Sequence, residues 1–266
     1  MTKRIILRTA ILALIASVTI ISASIFIEED NLERDAGRSI EVPNTGIIIP
    51  LYFDPNSSWN YLGQLHSEFP GVPMVVIINP DNGPGQNYSQ SYSNWTAILE
   101  KSGITVLGYI YTSYGERSLA TLKLQAYDYL QWYGTRGIFM DEVSDNSTGA
   151  SYYRNATQET RSMGLYYIIG NPGTFAPKSI TDFFNSTVLY ENPGTPPVEN
   201  LSSVTNTTGR NGSSIIAINV PVLSNTWLNT ASEYFSYIYV TNLGLPNPYC
   251  GLPSYLPMEM QLLSST

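Results

Sequence analysis

From residue 46 onward the chain alternates between short apolar runs and longer stretches whose apolar positions fall three and four residues apart. The runs are GIIIPLYF (46–53), PMVVIINP (73–80), TVLGYIYT (105–112), GIFMDEVS (137–144), LYYIIGNP (165–172), STVLYEN (186–192), SSIIAINV (213–220) and YIYVTN (237–242). Rich in β-branched and aromatic residues and closed by turn formers, they read as eight strands. Between them, SSWNYLGQLHSEF, YSNWTAILEKSG, SLATLKLQAYDYLQWYG, ASYYRNATQETRSMG and NTWLNTASEYF mostly carry helical spacing. Strands apolar on both faces that alternate with helices predict a parallel sheet covered by helices. Eight repeats predict closure into a single α/β domain over 45–266, a (β/α)8 TIM-type barrel. PKSITDFFN and PPVENLSS are short for barrel helices, so degeneracy is expected between strands five and seven. PSYLPMEMQLLSS reads as a closing helix.

The amino-terminal pattern differs. Lys3, Arg4 and Arg8 precede an apolar run from Thr9 to Ile27, and Glu28, Glu29 and Asp30 follow it. Basic before and acidic after predicts an exported domain. The run is short for a spanning helix, and Ser22-Ala23-Ser24 offers a small-residue cleavage site, so residues 1–27 read as a signal peptide or a membrane anchor acting through 9–27. Residues 28–44 read as a polar linker. Export also suits nine N-x-S/T sequons, at Asn56, Asn87, Asn94, Asn146, Asn155, Asn185, Asn200, Asn206 and Asn211.

Composition narrows the chemistry. The 266 residues carry a net charge of −8, which disfavours a nucleic-acid partner. Only 13% of residues are charged against 12% aromatic, with 20 tyrosines, so stacking and hydroxyl contacts outweigh ion pairs. One cysteine (Cys250) and one histidine (His66) leave no internal disulfide, no cysteine/histidine zinc site and no histidine-based nucleophile pair. His66 falls in the predicted first helix, where packing or surface exposure accounts for it. No cofactor and no metal is expected, and the expected state is a monomer.

The strand ends are where a barrel of this kind places its chemistry. The first ends in Tyr52-Phe53-Asp54, the second in Asn79 and the loop Pro80-Asp81-Asn82-Gly83-Pro84-Gly85, and the third in Tyr109-Ile110-Tyr111, with Tyr114 close behind. The fourth ends in adjacent acids, Asp141-Glu142, the fifth in Asn171-Pro172-Gly173, and the sixth in Tyr190-Glu191-Asn192. Each feature has a plain structural explanation: Asn-Pro and Gly-Pro pairs punctuate turns, tyrosines pack, and acids solvate strand ends. Together they would gather carboxylates, amides and phenols at one mouth, the equipment of a carbohydrate site. The catalytic candidates are Asp141, Glu142 and Glu191, with Glu191 opposite the pair as general acid/base. Strand alternation keeps Asp141 and Glu142 from pointing to one spot and does not rank them. Substrate-binding candidates are Tyr52, Asp54, Asn79, Tyr109, Tyr111, Tyr114, Asn171 and Asn192.

In order along the chain, GIIIPLYFDP, VPMVVIINPDNGPG, VLGYIYTSYGER, GIFMDE, IIGNPG and LYENPGTP resemble the spherulin-4-like proteins, a group that includes glycoside hydrolase family 135, whose described members are fungal. The resemblance covers about 46–240. It implies a (β/α)8 barrel and an extracellular endo-acting hydrolase of a galactosamine- or N-acetylgalactosamine-containing polysaccharide such as galactosaminogalactan. It carries that family's acidic pair onto Asp141 and Glu142 and its third acid onto Glu191. The Asn-Pro and Gly-Pro-Gly loop of the family falls on Asn79, Pro80, Gly83, Pro84 and Gly85. The competing expectation is a noncatalytic, lectin-like or coat protein on the same barrel.

Overall fold

The computed structural model describes residues 44–266; the leader expected at 1–27 and all but the last residue of the linker lie outside them. The eight expected strands are β1 (Gly46–Leu51), β2 (Met74–Ile78), β3 (Thr105–Tyr111), β4 (Gly137–Asp141), β5 (Tyr167–Gly170), β6 (Ser186–Pro193), β7 (Ser213–Ile218) and β8 (Tyr237–Val240). They are parallel and close in chain order, the last seam pairing Gly46 with Tyr237 and Ile47 with Ile238. The apolar runs are continuous because both faces are covered: β1, β2 and β7 are buried at every position. Strands approach closely where the sequence has glycine. At Gly137, which pairs with Tyr167, a Cβ would lie 1.7 Å from the Tyr167 carbonyl oxygen, so no larger residue fits there.

Helices follow the strands as expected: α1 (Ser57–Glu68), α2 (Gln90–Lys101), α3 (Leu119–Asp128), α4 (Ala150–Ser162), α5 (Lys178–Thr181), α6 (Leu201–Val204), α7 (Asn225–Ala231) and α8 (Leu256–Leu263). The Asn56 side chain caps α1 by accepting the Ser58 N–H at 2.8 Å. The four-residue α5 and α6 are the degenerate part of the barrel. Between them β6 carries a register shift from Val188 to Glu191, which the apolar pattern does not reveal. α8 closes the domain, and its fully buried Glu259 accepts the Val240 N–H at 2.8 Å, tying the helix to β8. Among the described residues no helix is long and apolar enough to cross a membrane.

Candidate active site

Chemistry collects where β4 leaves the sheet. Asp141 is the last strand residue, opposite Tyr111 in register. The next residue, Glu142, has φ +51, a left-handed conformation that ends the pleat. That turn is fastened on both sides. The Glu142 carbonyl accepts Thr112 Oγ1–H (2.7 Å) and the Tyr114 N–H (2.8 Å), while Val143 N–H donates to the Asn171 carbonyl (3.0 Å). Asn171 N–H in turn donates to the Met140 carbonyl (2.8 Å), which holds the residue after β5 against β4.

Asn171, only 5% exposed, organises the centre. Its Nδ2 donates to Asp141 Oδ1 (2.8 Å) and to Glu191 Oε2 (2.6 Å). Its Oδ1 accepts the Gly173 N–H (2.9 Å), which fixes the amide so that both of its hydrogens face the carboxylates. Gly173 has φ +66, a conformation glycine adopts without cost, and its carbonyl receives the Glu191 N–H (3.0 Å). The bulge in β6 re-aims Glu191 toward this point. Two phenols complete the cluster. Tyr109 Oη donates to Asp141 Oδ2 (2.8 Å), and Tyr249 Oη donates to Glu191 Oε1. Tyr52 stands between the two rings, edge-on to Tyr109 at 5.3 Å and to Tyr249 at 5.2 Å. Burial, with the charges of Asp141 and Glu191 beside it, holds the Tyr52 phenol protonated.

The electrostatics separate the two acids. Burial raises the proton affinity of Asp141, against the pull of hydrogen bonds from Tyr109, the Glu142 backbone and Asn171. Glu191 is raised by burial and further by the charge of Asp141, against hydrogen bonds from Tyr249 and Asn171. Both acids are thus pushed toward their protonated forms, and Glu191 carries the charge of Asp141 as a cause in addition to burial. Burial raises Tyr109 and Tyr249 as well, and the neighbouring carboxylates add to it, so both phenols stay protonated and act as donors.

The candidates read from the sequence divide into two groups. Tyr52, Tyr109, Asp141, Asn171 and Glu191 converge. Glu142 lies close enough to add to the proton affinity of Tyr109, but its half-buried carboxylate forms no hydrogen bond among the described residues. Its left-handed backbone takes it out of the Asp141 network, so of the adjacent pair Asp141 is the member placed against Glu191. Asp54 is exposed and takes only a 3.4 Å hydrogen bond from Tyr92 Oη. Asn79 is spent on its own loop, accepting the Gly83 N–H at 2.9 Å. Tyr111 lies under the Arg117 guanidinium at 3.8 Å, Tyr114 is 65% exposed, and Asn192 is exposed in the β6–β7 pairing. These five stand outside the hydrogen-bonded cluster. Among the described residues no group of three or more His, Cys, Asp or Glu side chains is placed to hold a metal ion.

Sequence reading missed Tyr249 and Asn247, which follow the last strand. The signal was present in Asn247-Pro248, a repeat of the Asn-Pro pairs at 79–80, 171–172 and 192–193.

Comparison with known proteins places these features in context. The model of the spherulation-specific family 4 matches residues 46–263. Spherulin-4 of Physarum polycephalum is 31% identical over 160 residues, 59% of this chain and 48% of that protein; the chain thus spans about half the length of this relative. Sph3 of Aspergillus clavatus, solved in complex with GalNAc, superposes with a TM-score of 0.76 at 23% identity, over 84% of this chain and 98% of that one. The YdjI aldolase of Escherichia coli K12 superposes with a TM-score of 0.54 at 10% identity, over 83% and 87% of the two chains. At these identities the structural likenesses speak to the barrel alone.

Proposed function

The chain belongs to the spherulation-specific family 4, and we propose that it is an exported or cell-surface glycoside hydrolase that cleaves within a galactosamine- or N-acetylgalactosamine-containing polysaccharide. One observation carries the reading: a single amide nitrogen, Asn171 Nδ2, bonds both Asp141 and Glu191. The two oxygens concerned are then no further apart than those hydrogen bonds laid end to end. So close an approach favours the retaining arrangement, whose carboxyl groups stand about 5–5.5 Å apart, over the inverting one at about 6.5–9.5 Å.

In the mechanism that follows, protonated Glu191 donates to the glycosidic oxygen as the bond to the anomeric carbon breaks, and Asp141 attacks that carbon to form a glycosyl ester. Glu191, now a carboxylate, takes a proton from water, which hydrolyses the ester and releases Asp141. Tyr109 holds the nucleophile, and Asn171 keeps it directed at the same carbon that Glu191 serves. Glu142 adds negative potential at the edge, favourable to the oxocarbenium-like transition state. The sugar identity rests on the motif resemblance and on the GalNAc bound by Sph3. Export rests on the amino-terminal pattern and the sequons.

Incubation of the full chain with galactosaminogalactan, followed by proton NMR of the earliest products, tests the reading. Oligosaccharides whose new reducing ends keep the anomeric configuration of the cleaved linkage are expected. Inverted products would break the assignment of Asp141 as nucleophile, and absence of cleavage across a panel of amino-sugar polymers would break the hydrolase reading.

A further inference from the structure

Tyr249 belongs to no strand or helix, yet it is 6% exposed and reaches the centre of the mouth. A dedicated clamp holds it there. Its carbonyl accepts the Tyr52 N–H (3.1 Å), and its N–H donates to Asn247 Oδ1 (3.0 Å). Asn247 Nδ2 then returns to the Tyr52 carbonyl (3.2 Å), so one amide side chain bonds both backbones. The ring packs edge-on against Tyr52 and tilted at 6.5 Å against Tyr239 of β8. None of these bonds closes the barrel, because the β8–β1 seam is made at Gly46 and Ile47, the opposite end of β1. What the clamp delivers is one hydroxyl to one oxygen, Glu191 Oε1.

We infer that Tyr249 is a positioning residue for Glu191, held in place by Asn247 and the Tyr52 backbone, so that the segment between β8 and α8 completes the acid. The inference deepens the hydrolase reading and rests on it for its consequence in catalysis. The groups around Glu191 are Asp141 at the end of β4, Asn171 after β5, Tyr109 of β3, Tyr52 after β1 and Tyr249 itself, with Tyr239 behind it. None is a cation, so nothing but donated hydrogen bonds favours the Glu191 carboxylate. Without them burial would leave the Glu191 carboxylate unsupported in the second half of the reaction, when Asp141 is an uncharged ester and Glu191 must stand ionised to take a proton from water. Tyr249 thus lets a buried acid work in both directions.

Tyr249→Phe removes only the hydroxyl and keeps the ring packing, and Asn247→Ala keeps the hydroxyl but frees the clamp. Both are made in the full chain. For Tyr249→Phe the expected result is an unchanged fold and KM, a fall in kcat of about 10- to 100-fold, and a basic limb of the pH profile moved to higher pH. Asn247→Ala should shift the same quantities in the same direction by less. Titration of the Glu191 carboxyl carbon by NMR, without substrate, should show the upward shift directly. An unmoved titration and limb would overturn the inference, as would a raised KM with kcat and limb intact, which would make Tyr249 a substrate contact. If the wild type cleaves no polymer, the hydrolase reading falls and the substrate-free titration still decides the role of Tyr249; should Tyr249→Phe fail to fold, Asn247→Ala carries the same titration.

Discussion

Asn171 shows how much a single side chain decides. Its amide spends the oxygen on Gly173 and the nitrogen on two acids, so both acids are addressed by donors and neither by an acceptor. Asn171→Asp, nearly the same shape, replaces that donor with a third carboxyl among buried acids. We expect loss of activity by about 10²-fold or more, from misplacement of the acids and wrong protonation together. Single-turnover rates on a wild-type and variant pair check it, and activity within a few-fold of wild type would show that Asn171 does not organise the two acids. At this scale the sequence was partly readable. Acids and amides at strand ends announced themselves as polar residues where apolar runs stop. Their pairing did not, because the left-handed turn at Glu142 and the bulge before Glu191 set which way each side chain points. Asp54 and Asn79 look as promising as Asn171 in the sequence, yet Asp54 stands exposed outside the cluster and Asn79 accepts a bond within its own loop.

The elements were more legible than the residues. Eight strands were countable because most of their positions are buried on both faces and carry apolar residues, and the weak α5 and α6 were visible as segments too short for barrel helices. The β6 bulge was not, since an inserted residue leaves composition unchanged. The contact between α8 and β8 is a second case, for Glu259 looks like a surface acid of a terminal helix and is fully buried. Burial raises its proton affinity well above the ordinary carboxylate range. The favourable contribution of such a group is present below its unfolded pKa of about 4.3 and is lost as pH rises through the folded value. Glu259→Gln keeps an acceptor for the Val240 N–H and cannot ionise. Thermal midpoints of variant minus wild type should therefore grow with pH; a difference constant from acid to neutral pH would show that Glu259 does not ionise on unfolding.

At the scale of the molecule, a net charge of −8 suits a neutral or amine-bearing polymer over a polyanion. All nine sequon asparagines are exposed, which agrees with the proposed export and leaves every one of them open to a glycan. The family expected from the ordered motifs is the one to which the chain belongs, and its barrel closes as eight repeats require. In the proposed mechanism Asp141 and Glu191 form the cleaving pair, with Glu191 as the acid. Mass spectrometry of products from galactosaminogalactan, with wild type and Glu191→Gln side by side, tests it most directly. Short N-acetylgalactosamine-containing oligomers are expected from the wild type and none from the variant, with polymer binding kept by both. Equal products from both proteins would contradict it.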